Sequence, residues 1–224
     1  MRPRTTLSIA ALAAMVLLVG YAGEAVASGA GIKTGLAFAK QDYSYADPNL
    51  EFDNSYRKGF SVGVFIEQSL VPSLAVRAEG LFVRKGFKVN VLRVDYTGEP
   101  IPQTTDLLYG LDYITLNLLG KLSLPTRTYL LAGPRLDERL NSGRDEANIV
   151  PSELEDKFSS TTFGWPFGIG QEVPLATTLA LFIEGQLYVD QGYLYEHAVQ
   201  GTDKIGTLAS IRNKAFALFA GVRF

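Results

Sequence analysis

The chain has 224 residues, is 47% hydrophobic, carries a formal charge of −2 and contains no cysteine. So small a charge bias excludes the basic stripe that nucleic acid recognition needs and a polybasic lipid attachment. The missing cysteines exclude a disulfide-stapled fold, a thiol nucleophile and a thiolate metal site.

Residues 1–27 read as a cleaved secretory signal. Arg2 and Arg4 form a positive n-region, Leu7 to Val19 is apolar, and Ala25-Val26-Ala27 is a small-x-small cleavage site. The apolar run is short for a membrane-spanning helix, which takes about 20 residues. Cleavage leaves one domain, 28–224, with 19 basic and 22 acidic side chains once Arg2, Arg4 and Glu24 are removed.

What recurs after residue 28 is alternation, the mark of a strand with two unlike faces. The stretch Ile32 to Phe38 shows it first. Phe60, Val62, Val64 and Ile66 then oppose Ser61, Gly63 and Glu67. Val76, Ala78, Gly80 and Phe82 oppose Arg77 and Glu79. Ile114, Leu116, Leu118 and Leu122 oppose Tyr113, Thr115, Asn117 and Lys121. Thr128 to Leu136 and Phe163 to Ile169 are less regular. Leu179, Leu181, Ile183, Leu187 and Val189 oppose Glu184, Gln186 and Asp190. At the end Phe216, Leu218, Ala220, Val222 and Phe224 alternate with Ala217, Phe219, Gly221 and Arg223.

Eight strands are predicted, near 31–42, 59–70, 74–87, 110–124, 127–140, 161–173, 177–190 and 212–224. Each exceeds the roughly 9–11 residues that cross a bilayer at a tilt. Tight turns at 70–73, 125–126 and 173–176 alternate with long connections near 43–58, 88–109, 141–160 and 191–211. The fold class expected is all-β: an eight-stranded antiparallel up-and-down transmembrane barrel, its long connections outside. A soluble lipocalin-like barrel has the same period with the faces reversed. Phe224 and the one-sided connection lengths favour the membrane form. Phe216, Leu218, Val222 and Phe224 look like the signal read by the outer-membrane barrel assembly machinery, a partner in biogenesis. Tyr43, Tyr45, Tyr109, Tyr113, Tyr188, Tyr193 and Tyr195 are expected in an aromatic girdle at the outer interface.

Several short segments, in order, resemble the PorT-like outer-membrane β-barrel domain family. They include Gly31-Ile32-Lys33-Thr34-Gly35-Leu36, Gly59-Phe60-Ser61-Val62-Gly63-Val64-Phe65 and Ala78-Glu79-Gly80-Leu81-Phe82 with Lys85-Gly86. The others are Tyr129-Leu130-Leu131-Ala132-Gly133-Pro134, Leu181-Phe182-Ile183-Glu184-Gly185 and Gly221-Val222-Arg223-Phe224. The resemblance covers nearly all of the mature chain. It implies an eight-stranded outer-membrane barrel and supplies no catalytic motif. The family's namesake takes part in protein secretion.

Glu67, Arg77, Glu79, Lys121, Arg135, Glu172, Glu184 and Arg223 are expected on the inward face. A barrel of eight strands is wide enough only for side chains to fill, and buried charges must pair. A paired ionic network plugging the lumen is therefore preferred to an ion path. His197, the single histidine, has no serine or carboxylate pattern near it and reads as an exposed loop residue. Asp145, Glu146, Glu153, Glu155 and Asp156 make an acidic segment without EF-hand spacing, and Ser152 with Glu155 suits a helix-capping box after Pro151. No cofactor and no metal are implied.

The function expected is a non-catalytic barrel with a structural role or a recognition and adhesion role through its long connections. The alternatives are an accessory part of a secretion or transport machine and a lipid-modifying interfacial enzyme using His197. Expected partners are outer-membrane lipid, the assembly machinery and an extracellular or envelope protein ligand.

Overall fold

The computed structural model describes residues 28–45, 55–94, 100–144, 161–191, 195–196 and 208–224. The ten strands are β1 (Ser28–Tyr45), β2 (Ser55–Val71), β3 (Leu74–Val94), β4 (Pro100–Ser123), β5 (Thr128–Ala132), β6 (Arg135–Arg144), β7 (Thr161–Pro174), β8 (Ala180–Asp190), β9 (Tyr195–Glu196) and β10 (Leu208–Arg223). Every pairing is antiparallel, and β1 closes the ring on β10 from Gly31↔Arg223 to Tyr45↔Leu208. Closure leaves no unpaired edge for lipid to face.

β5 and β6 are one barrel strand. Gly120 faces Ala132 and Asn117 faces Arg135, so the register is the same on both sides of the break. The interruption is Gly133-Pro134. Pro134 has no N–H to give the ladder, although its carbonyl still accepts from the Leu118 N–H at 3.0 Å. At Gly133 a Cβ would collide with the Leu118 carbonyl, so the close approach requires glycine. With β9 a two-residue addition to β10, the barrel has eight strands.

The alternation sets the two faces. Ile183 is 66% exposed, Val64 60% and Leu218 55%, while Lys33, Arg77 and Glu184 are buried in the lumen. A water-soluble barrel would invert this; the arrangement is that of a barrel in lipid. Room inside comes from pairing rings with glycine: a Cβ on Gly170 would strike the Tyr129 ring, and one on Gly221 the Phe182 ring.

Two expectations are corrected. β3 and β4 run to Val94 and Pro100, so most of the predicted connection 88–109 is a protruding hairpin. Lys88↔Leu108 through Val91↔Thr105 continue the ladder through this segment. The 24 residues of β4, at a rise of about 3.3 Å each, far exceed an apolar band of about 25 Å. Second, Tyr113 and Tyr188 are not in a girdle. They are buried in the lumen at 1% and 2% exposure, because each shares the parity of inward neighbours such as Thr115 and Gln186. The outward aromatics are instead Phe38, Tyr56, Phe60, Phe82, Phe163, Trp165, Phe167 and Phe216. Residues 1–27, Tyr193, His197 and the acidic segment 145–160 lie outside the described residues.

Candidate functional site: the charged lumen

The inward parity of eight strands brings together side chains from all parts of the sequence. At the center of the lower lumen, toward the short turns, stands Glu184 on β8. Its Oε1 accepts from Lys33 Nζ at 2.9 Å, and its Oε2 accepts from Arg77 Nη1 and the Tyr129 hydroxyl, both at 2.8 Å. Lys33 also donates to Glu79 at 2.8 Å. The other carboxylate oxygen of Glu79 accepts from Asn117 Nδ2 at 2.9 Å. Arg77 turns its Nε and Nη2 to Glu67 Oε2, at 2.9 and 2.8 Å. Lys121 reaches Glu67 at 2.9 Å and Glu172 at 2.5 Å. Glu172 in turn lies 3.5 Å from Arg223 at the mouth.

Aromatic rings fill the space between the ions. The Arg77 guanidinium lies 4.4 Å from the Phe65 ring center and 5.2 Å from that of Tyr129. Lys33 stands 4.3 Å over Phe219, and Phe65 meets Phe182 edge-to-face at 5.6 Å. Cations in such positions gain from the ring quadrupole.

A second cluster lies nearer the long connections. Asp137 on β6 accepts from Lys85 Nζ at 2.5 Å and from Thr115 Oγ1 at 2.6 Å. Arg135 Nη2 lies 3.3 Å from Asp137 and donates to Asp190. Among the described residues Lys33, Arg77, Lys85, Lys121, Arg135 and Arg223 thus face Glu67, Glu79, Asp137, Glu172, Glu184 and Asp190 in these two clusters. The charges within these pairs balance and are close-packed.

The lumen receives each of the eight sequence-predicted inward charges, in two settings. Glu67, Arg77, Glu79, Lys121, Arg135 and Glu184 are buried. Glu172 and Arg223 are half-buried at the short-turn mouth, beside a hollow of about 150 Å³ also lined by Ser123, Arg127 and Tyr129. Lys33, Lys85 and Asp137 escaped the prediction, and Asp190, placed on the same strand face as Glu184, was left out of the network. Parity would have found them: Lys33 lies between outward Ile32 and Thr34, and Asp137 two residues beyond Arg135. Phe216, Leu218, Val222 and Phe224 face outward, and Phe224 and Ala30 exchange both backbone hydrogen bonds at 2.8 Å.

Among the described residues no three metal-ligating side chains converge. A hollow of about 630 Å³ lies on the outer face where Thr34 and Ala220 are small among Ile32, Val62, Ile183 and Val222. Its walls are apolar and turned to lipid.

A family model described as outer membrane protein beta-barrel domain matches residues 26–189. Comparison with curated proteins gives no match. Among solved structures, the Neisserial surface protein A is 16% identical, with 88% of this chain and 98% of that one covered and a TM-score of 0.43. OprG from Pseudomonas aeruginosa is 10% identical, covering 88% and 96%, at a TM-score of 0.48. The outer membrane protease OmpT from Escherichia coli is 11% identical, covering 90% and 99%, at 0.43.

Proposed function

As the chain belongs to the outer membrane protein β-barrel domain family, we propose that it is a non-catalytic scaffold, its barrel a sealed rivet and its long connections the surface that recognises an extracellular or envelope partner. The observation that carries this reading is the filled lumen. Among the described residues, charges of both signs pair across the bore, and rings stand between them. A continuous water column has no room in such a core. Hydrolysis needs a nucleophile, a base and an oxyanion site aligned at an accessible surface; the buried acids here are each committed to cations. Binding on a rigid frame belongs to its connections, and the long β3–β4 hairpin suits that use.

The export signal over 1–27 and assembly through Phe216, Leu218, Val222 and Phe224 complete the proposal. It places the mature chain, 28–224, in the outer membrane as a multi-pass barrel.

Planar-bilayer recording of the purified protein tests the sealed lumen. No steady single-channel current is expected; large stable currents would instead establish a transport role. Cells displaying the full chain should adhere to an immobilised surface more than cells displaying a barrel with 90–106, 145–160 and 197–207 replaced by short glycine-serine turns. Equal adhesion would remove the recognition role.

A further inference from the structure

The turn between β4 and β5 is held in one shape by its backbone. The Arg127 N–H donates to the Leu124 carbonyl at 3.1 Å, and the Leu124 N–H donates to the Thr128 carbonyl at 2.8 Å. The Arg127 carbonyl accepts from the Glu172 N–H of β7 at 3.0 Å. Arg127 has φ 62°, alone among the described residues other than glycine in lying at positive φ. A three-residue hairpin connection ordinarily puts glycine at that position, because a Cβ is unfavourable in the left-handed region.

The other polar side chains of the turn are occupied. Thr126 Oγ1 donates to Thr128 Oγ1 at 3.1 Å, and Thr128 Oγ1 donates to Gln171 Oε1 at 2.8 Å. Gln171 Nε2 donates to the Thr126 carbonyl at 2.9 Å. Among the described residues the Arg127 guanidinium has neither a hydrogen bond nor an ion pair. The side chain therefore holds nothing in the fold, while its backbone sits where glycine would be easier. Such an outlier points to a use for the side chain itself.

Arg127 lines the hollow of about 150 Å³ at the short-turn mouth, with Arg223, Glu172, Ser123 and Tyr129. Arg223 Nε is buried there without a hydrogen-bond partner, although its Nη2 lies 3.5 Å from Glu172. Glu172 is already shared between Arg223 and Lys121. Arg127 adds one positive charge, and the short turns 71–73, 124–127 and 174–179 contain no acidic residue to meet it. One negative charge balances Arg127; a dianion would overshoot beside Glu172. The hollow lies within the ring of turns, so a lipid headgroup outside the wall does not reach it. At about 30 Å³ for each water, the space exceeds that of a lone carboxylate and admits a small residue with it.

We propose that the short-turn mouth binds the terminal carboxylate of a peptide whose last residue is small, with Arg127 and the Nε of Arg223 as donors. A guanidinium fork matches the two oxygens of a carboxylate. The mouth opens on the side where outer-membrane barrels carry their periplasmic turns, so the peptide belongs to that compartment and not to the side of the long connections.

Calorimetric titration of the full chain in nanodiscs with N-acetylalanine tests this, beside N-acetylalanine amide, acetate and inorganic phosphate. N-acetylalanine should bind and its uncharged amide should not. Arg127→Gly should weaken binding at least about tenfold, the scale of a hydrogen bond to a charged group. The same variant should unfold at an equal or higher temperature, since glycine suits the left-handed backbone. Lys58→Gln, at the other end of the barrel, should leave binding unchanged. Equal binding of acid and amide, full affinity in Arg127→Gly, or a large loss of stability in that variant overturns the proposal. Acetate or phosphate binding as tightly as N-acetylalanine would identify a simple anion as the ligand and overturn the peptide assignment.

Discussion

The two charge clusters of the lumen differ in how many strands they join. The lower one includes Lys33 of β1, Glu67 of β2, Arg77 and Glu79 of β3, Lys121 of β4, Tyr129 of β5, Glu172 of β7, Glu184 of β8 and Arg223 of β10. Every barrel strand contributes. Among the described residues the upper one joins β3, β4, β6 and β8 through Lys85, Thr115, Asp137, Arg135 and Asp190. Beside it the lumen is apolar, filled by Ala37, Ala39, Leu81, Val83, Ala215 and Ala217. The two fully buried arginines differ as well. In the lower cluster Arg77 uses Nε, Nη1 and Nη2, whereas Arg135 has no hydrogen-bond partner at Nε or Nη1. The lower cluster therefore works as a cross-tie for the closed barrel and the upper one as a local patch on one wall.

Replacing Arg77 should break this contrast most severely. Arg77→Met removes the cation shared by Glu67 and Glu184 while keeping much of the volume against Phe65. Stranding buried charge costs roughly 3–5 kcal/mol for a single pair, and two carboxylates lose a partner here. Failure to fold, or a loss at the top of that range, is expected from urea unfolding followed by Trp165 fluorescence. A loss below about 1 kcal/mol would contradict a cross-tie.

Glu184→Ala should cost roughly 3–5 kcal/mol, because Lys33, Arg77 and Tyr129 all lose an acceptor. Adding Lys33→Met should recover part of it, since one stranded cation goes with its partner. A coupling energy of about 1–3 kcal/mol is expected for residues in one network; simple additivity would mean that the 2.9 Å contact carries no energy.

In the upper cluster the effect should be smaller. Asp137→Asn keeps the shape and one acceptor for Lys85 and Thr115, and removes a charge that Lys85 and Arg135 share. A loss of about 1.5–3 kcal/mol, the range for hydrogen bonds to charged groups, is expected from the same unfolding curve. Matching the Glu184→Ala loss would erase the distinction between tie and patch.

How much of this was readable depends on where each signal resides. Period two alone placed Arg77, Glu79 and Glu184 on one face, because their neighbours Ala78, Ile183 and Leu181 are plainly apolar. One predicted strand, 127–140, ran across Gly133-Pro134, where residues on both sides keep the same parity. The pairing of ions was beyond period two. That Lys33 meets Glu184, 151 positions away, depends on the stagger of eight tilted strands, which no local window contains. Tyr113 and Tyr188 were misplaced because composition was used where parity should have decided. The β3–β4 hairpin was missed because 88–109 was read as a polar connection, while the ladder through it pairs residues of two different strands.

The seam where the chain closes gives the smallest expected change in stability. Phe224 and Ala30 exchange two backbone hydrogen bonds at 2.8 Å, while the Phe224 side chain is 56% exposed. Phe224→Ala leaves the backbone bonds in place and lies below the short-turn mouth, outside the lower tie. Equilibrium stability should change by less than about 1 kcal/mol, the usual result where no buried contact is lost. If the terminal aromatic is the address read during assembly, the yield of folded, heat-modifiable barrel in the membrane should fall severalfold in the same variant. Stability and assembly then separate at one residue. A normal yield with unchanged stability would show that Phe224 is an ordinary strand end. A large loss of stability in the refolded protein would mean that the ring helps hold β1 to β10.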